Sequence, residues 1–254
     1  MNKDLSLINN AKMIILICGD SKTGKNTIVN EIIKDKEVQQ KDQATFKSFF
    51  FKHEEVVGKS TISIPIELRI LSSDELETEL KMNKTFFSEA LGAFVVNSIT
   101  DNNSFTDGEK WKDKIDLMCC LPNRFPLPIF LLITKCDLVV EENENNQNFQ
   151  YLQRDKIEAY SSENQFFDTF FLGKGHENEN IINKEKENKI NLNNKDENIK
   201  NLIVSSRKPF LEMVKSILSF RDIRNKFIIQ SGGIIDDKEF EGRNKNTSKK
   251  CIIY

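Results

Sequence analysis

The chain has 254 residues, 38% hydrophobic and 30% charged, with a formal net charge of −2 at pH 7. That suits one globular domain with additions, and it excludes a collagen-like, Cys-stapled or wholly disordered polymer. The near-neutral balance speaks against a general nucleic-acid binder, so no nucleic-acid partner is expected.

No apolar run approaches the roughly 18 residues of a membrane span, and the first residues lack a signal peptide's long apolar centre. Five cysteines (Cys18, Cys119, Cys120, Cys136, Cys251) have no metal or disulfide spacing. Reduced thiols in a soluble, cytoplasmic protein are the expectation.

In chain order, residues 1–11 form a short N-terminal extension and MIILIC (13–18) a strand buried on both faces. NTIVNEIIK (26–34) places Ile28, Ile32 and Ile33 at helical spacing. TFKSFFF (45–51) and ISIPIELRIL (62–71) alternate around Gly58-Lys59, a hairpin signal in which Pro65 suits an edge or non-donating position. A charged stretch (74–90) precedes a continuous strand at 91–99 and a helix at 104–117 with Ser104 as its cap. PLPIFLLITK (126–135) is a third buried strand, followed by a polar helix near 149–160 and a last strand, QFFDTFFL, at 165–172. Buried strands alternating with helices predict an α/β domain with a doubly wound, mostly parallel sheet.

Residues 174–200, dominated by Asn, Lys and Glu, read as a low-complexity insertion too polar to bury. After it, SSRKPFLEMVKSIL (205–218) is amphipathic, with Ser206 as a cap and Pro209 tolerated in the first turn. Beyond Phe220 the mixed charge and lack of period predict a flexible tail over 221–254.

The sharpest local feature is Gly19-Asp20-Ser21-Lys22-Thr23-Gly24-Lys25-Asn26-Thr27, which leaves a strand and opens a helix. That is the context of a phosphate-binding loop: backbone N–H groups wrap phosphate oxygens at a helix N-terminus, and Lys25 reaches the β- and γ-phosphates. Asn26 stands where a hydroxyl usually ligates Mg²⁺. Its amide oxygen can bind a hard cation but is bulkier. The second feature, Thr134-Lys135-Cys136-Asp137, ends a buried strand, where ligands of open α/β sheets bind. There the Asp137 carboxylate can accept two hydrogen bonds from a guanine edge while the Lys135 stem lies against the base.

With these motifs in place, 12–172 and 205–218 resemble a Ras-like small GTPase, a P-loop NTPase fold, and within it the Rab family. The resemblance rests on GDSKTGKNT, on Ala44-Thr45 before the hairpin, and on FFSEALGAFVVNSITDNNSF (86–105) with Trp111-Lys112 after it. LPNRFPLPIFLLITKCDL (121–138) is similar to Rabs of lysosome-related organelles. It implies a six-stranded sheet in a domain over 12–220, GTP and GDP as ligands, and Mg²⁺ held by Asn26 and Thr45. It also implies effector and regulatory proteins bound through the switch regions, and a role in vesicle trafficking on the cytosolic face of endomembranes.

The departures fall on catalysis. Where a Rab has W-D-T-A-G-Q-E, this chain has Leu71-Ser72-Ser73-Asp74-Glu75-Leu76-Glu77. Ser72 replaces the aspartate that supports Mg²⁺, Glu75 the glycine that meets the γ-phosphate, and Leu76 the glutamine that orients water. No catalytic residue is therefore assigned, and slow or absent hydrolysis is expected. Phe46-Lys47-Ser48 lack the usual Ile-Gly pair after Thr45, and Thr134 stands for asparagine. The third base-contacting motif is absent at 170–172, with Leu172-Gly173-Lys174 as a substitute. Lys249-Lys250-Cys251-Ile252-Ile253-Tyr254 ends the chain as a prenylation-like signal, with Tyr an unusual last residue and Cys251 the lipid acceptor.

Overall fold

A computed structural model describes residues 11–42, 46–58, 60–70, 87, 89–101, 103–121, 124–138, 153–173 and 202–232. At its centre is β1 (Met13–Cys18), whose six apolar residues are all buried. It has no polar face because it pairs in parallel on both sides, with β4 (Ser60–Ile70) and with β5 (Ala90–Ser98). Each fully buried Ile or Leu here contributes about 1.5–3 kcal/mol, which makes β1 the anchor of the core.

Among the described residues the sheet has eight strands, in the order β2-β3-β4-β1-β5-β6-β7-β8. On one side of β1, β3 (Lys47–Val57) and β4 form the antiparallel hairpin that the alternating pattern predicts, turning at Gly58 with φ +62°. Pro65 lies just before Ile66, where β1 begins to pair, so its missing N–H leaves no β1 bond unmade. On the other side, β6 (Ile129–Thr134) and β7 (Asp168–Leu172) continue in parallel.

The six strands expected are present, and two short edge strands extend them. β2 (Gln39–Asp42) pairs antiparallel with β3, and β8 (Ile203–Val204) pairs parallel with β7. β2 is exposed at all four positions and carries no hydrophobic alternation. It forms because β3 would otherwise leave its backbone groups unpaired.

Helices cover both faces. These are α1 (Lys25–Ile33), α2 (Asn103–Met118), α3 (Arg154–Glu163), α4 (Arg207–Ser219) and α5 (Arg221–Gln230). Gly92 and Asn97 of β5, an odd number of residues apart, show the two faces. A Cβ at Gly92 would sit 2.5 Å from Met213 Sδ on α4, and one at Gly108 on α2 would sit 2.5 Å from Asn97 Oδ1.

Three expectations are corrected. Ser104 does not cap α2: Asp101 Oδ1 accepts the Asn103 N–H at 3.0 Å, while the Ser104 hydroxyl accepts from Ser98 N–H and bonds the Ser98 and Asp101 carbonyls. Ser206 makes no side-chain cap on α4, for a reason that lies in the site. The chain after Phe220 is not loose throughout, because α5 buries Ile223, Phe227 and Ile228. The insertion, most of the 71–89 stretch, and the chain after Gly232 lie outside the described residues.

Candidate functional site

The parallel strands end together, with Cys18 beside Val95, Ser98 beside Thr134 and Ile133 beside Phe171. Their C-terminal edge carries a cleft of about 540 Å³.

One wall is the loop from β1 into α1. Gly19 (φ +143°) is required because a Cβ there would strike the Val96 carbonyl, and Gly24 takes φ +95° at the start of α1. Thr23, almost fully buried, folds the loop back: its hydroxyl donates to Asp20 O at 2.9 Å. Lys25 is buried, and its ammonium donates to Gly19 O at 2.8 Å and to Asp20 O. Asn26 and Thr27, in the first turn of α1, are exposed and line the cleft.

The opposite wall comes from the end of β6. Thr134, Lys135, Asp137 and Leu138 line it, joined by Leu172 and Gly173 after β7. Lys135 holds φ +61°, and Leu138 N–H closes a turn onto Lys135 O at 3.2 Å, which sets Asp137 at the rim. Thr134 binds the walls together: its hydroxyl lies 2.6 Å from Thr23 O and 3.1 Å from Asn97 O. Thr134, which stands for the asparagine of the resembled motif, thus braces its own loop against the loop that leaves β1.

Gly173 packs so close to Asp137 that an added Cβ would lie 2.9 Å from Asp137 N. The substitute motif is therefore at the cleft through Leu172 and Gly173, while Lys174 lies outside the described residues. Burial pushes the Cys136 thiol up to about 12, so it stays protonated and serves packing rather than chemistry.

Four lining residues were not expected, the apolar Ile28 and Leu138 and the polar Glu31 and Ser206. The Glu31 carboxylate accepts from Ser206 N–H at 3.1 Å and from Ser206 Oγ at 2.6 Å. A carboxylate at the N-terminus of α4 is favoured by that helix's dipole, so α1 caps α4 in place of a local side chain. No spacing in the chain connects the two residues.

For a divalent cation, the described residues offer the Asn26 amide, a neutral oxygen donor that fits a hard ion. Thr45, Ser72, Glu75, Leu76 and Cys251 lie outside the described residues.

A phosphate loop between a buried strand and a helix, braced to an Asp-bearing second loop at the same sheet edge, defines a P-loop nucleotide-binding protein. The family model described as the Ras family matches residues 12–172, and the chain belongs to that family. It is a divergent, Rab-like member. It is 25% identical to the human Ras-related protein Rab-7L1 over 165 residues, 60% of this chain and 68% of that protein. It is 27% identical to mouse Ras-related protein Rab-32 over 147 residues, 53% of this chain and 57% of that protein. With Ras-related protein Rab-32A of Dictyostelium discoideum it shares 27% identity over 139 residues, covering 49% and 55% of the two chains.

Proposed function

We propose that this Rab-like protein binds GTP and GDP, hydrolyses GTP slowly or not at all, and acts in vesicle trafficking at endomembranes. The observation that carries the nucleotide reading is the Thr134 hydroxyl on Thr23 O, which fixes the phosphate loop and the Asp137 loop as one cleft. Backbone N–H groups from Gly19 to Lys25 hold the phosphates, and the Lys25 ammonium leaves Gly19 O for the β- and γ-oxygens. Asp137 accepts from the guanine edge, and Lys135 lies along the base. Asn26 would hold Mg²⁺ through its amide oxygen, with Thr45 as second donor; the ion supplies charge neutralisation at the phosphates.

Slow hydrolysis follows from Leu76, which has no group to orient the attacking water, and from Glu75, whose charge opposes the γ-phosphate. Effectors and regulators bind through the switch segments. Cys251 carries the prenyl chain that holds the protein to the membrane, weakly and reversibly with only Lys249 and Lys250 beside it. A second reading, a fixed interaction module that no longer uses nucleotide, is favoured by the same Glu75 and Leu76.

Titration with fluorescent GTP, GDP and ATP, with and without EDTA, decides between them. Guanine-selective binding supports the first reading, and absence of binding supports the second. Single-turnover GTP cleavage at an ordinary small-GTPase rate would overturn the catalytic half. Equal membrane fractions for Cys251→Ser and the unmodified protein would overturn the lipid anchor.

A further inference from the structure

Lys22 occupies φ +64° in the phosphate loop, a left-handed conformation that glycine adopts freely and lysine rarely does. Four non-glycine residues among those described take a positive φ, and two of them, Lys22 and Lys135, line the cleft. Strain concentrated at one cleft points to a use for the side chains held there. Lys22 is exposed, and no ion pair among the described residues holds its ammonium. Lys25, by contrast, is buried and bound to loop carbonyls.

The loop therefore presents two cations to one anion site, while the metal donor beside them is the neutral Asn26 amide. We propose that Lys22 is a second phosphate-binding cation of the loop, supplying positive charge to a di- or triphosphate and making nucleotide binding less dependent on Mg²⁺. This rests on the nucleotide reading above and adds a residue to it. Lys22 lines the same cleft as Gly24, Lys25 and Asn26, which puts its side chain at the site where the phosphates would bind. Being exposed, the ammonium acts through a salt-screened attraction.

The test compares the full chain with Lys22→Gly and Lys22→Arg, using GTP, GDP and inorganic tripolyphosphate, each with Mg²⁺ and with EDTA. Glycine relieves the backbone, so Lys22→Gly should melt at the same or a higher temperature, which excludes misfolding as the cause of weaker binding. Its affinity for all three ligands should fall about fivefold, more in EDTA than in Mg²⁺, and the gap should close in 1 M salt. Lys22→Arg should keep most of the affinity. Equal binding by Lys22→Gly and the unmodified protein in EDTA, or equal losses in the Gly and Arg variants, would overturn the proposal. If tripolyphosphate binds in a Lys22-dependent way but GTP shows no preference over ATP, Lys22 stands and the guanine reading falls. If neither ligand binds, both fall.

Discussion

Thr134 shows how a single hydroxyl can hold a site together. It reaches Thr23 O at 2.6 Å and Asn97 O at 3.1 Å, and it is 6% exposed, so water does not replace it readily. Thr134→Val keeps the shape and removes the donor, leaving two buried carbonyls without that partner. The expected cost is about 1–3 kcal/mol in urea denaturation, with faster nucleotide release, while Thr134→Ser should lose less. An unchanged midpoint and release rate for Thr134→Val would show that the loops are positioned by packing alone. Gly19 is a second single-residue constraint, because no side chain fits between it and the Val96 carbonyl.

Between elements, β3 meets α4 at Phe210, which Phe51 approaches at 5.9 Å and His53 edge-on at 5.3 Å between ring centres. His53 Nε2 lies 3.2 Å from Glu55 Oε2. Burial holds the His53 pKa below its ordinary value of 6.5, Lys36 adds to this, and the Glu55 hydrogen bond with the charges of Glu55 and Glu54 opposes it. A histidine with a lowered folded pKa binds fewer protons folded than unfolded. Its stabilising contribution is therefore complete above the unfolded value of about 6.5 and is lost as the pH falls from there through the lowered folded pKa. The melting temperature should drop between pH 7.5 and pH 5.5, and His53→Phe, which keeps a ring against Phe210, should flatten that drop. A pH profile identical in the two proteins would place the acid sensitivity elsewhere. At the cleft α4 is joined to a second element, because Glu31 of α1 holds Ser206 at its start.

At the scale of the molecule, the sheet is longer on one side than the central strand can cover. β1 reaches β4 only from Ile66 onward, so among the described residues the start of β4 has no strand neighbour on that side. The end of α5 meets it: Ser231 Oγ accepts from Ser63 N–H at 3.1 Å and lies 3.3 Å from Ser63 O. Phe227, 1% exposed, anchors the helix. Phe227→Ala should cost about 3–5 kcal/mol in denaturant unfolding, a loss that a free tail could not produce. A change under about 0.5 kcal/mol would return the segment to the status of a surface appendage.

Local chemistry made the core strands, the hairpin and the two cleft motifs legible in the sequence. A continuous apolar run such as MIILIC, or glycines at a strand-to-helix turn, is dictated by burial and backbone sterics within a few residues. The poorly matched positions were legible too, since Asn26 and Thr134 differ in donor chemistry that needs no structure to see. Tertiary structure alone decided the rest, because the partners are remote or lack pattern. Ser206 looked like a cap until Glu31, 175 residues away along the chain, filled that role. Gln39–Asp42 is a strand only because β3 offers an edge. α5, with three buried apolar residues in ten, is too short and polar to form on propensity, and it exists where the uncovered part of β4 gives it something to pack against.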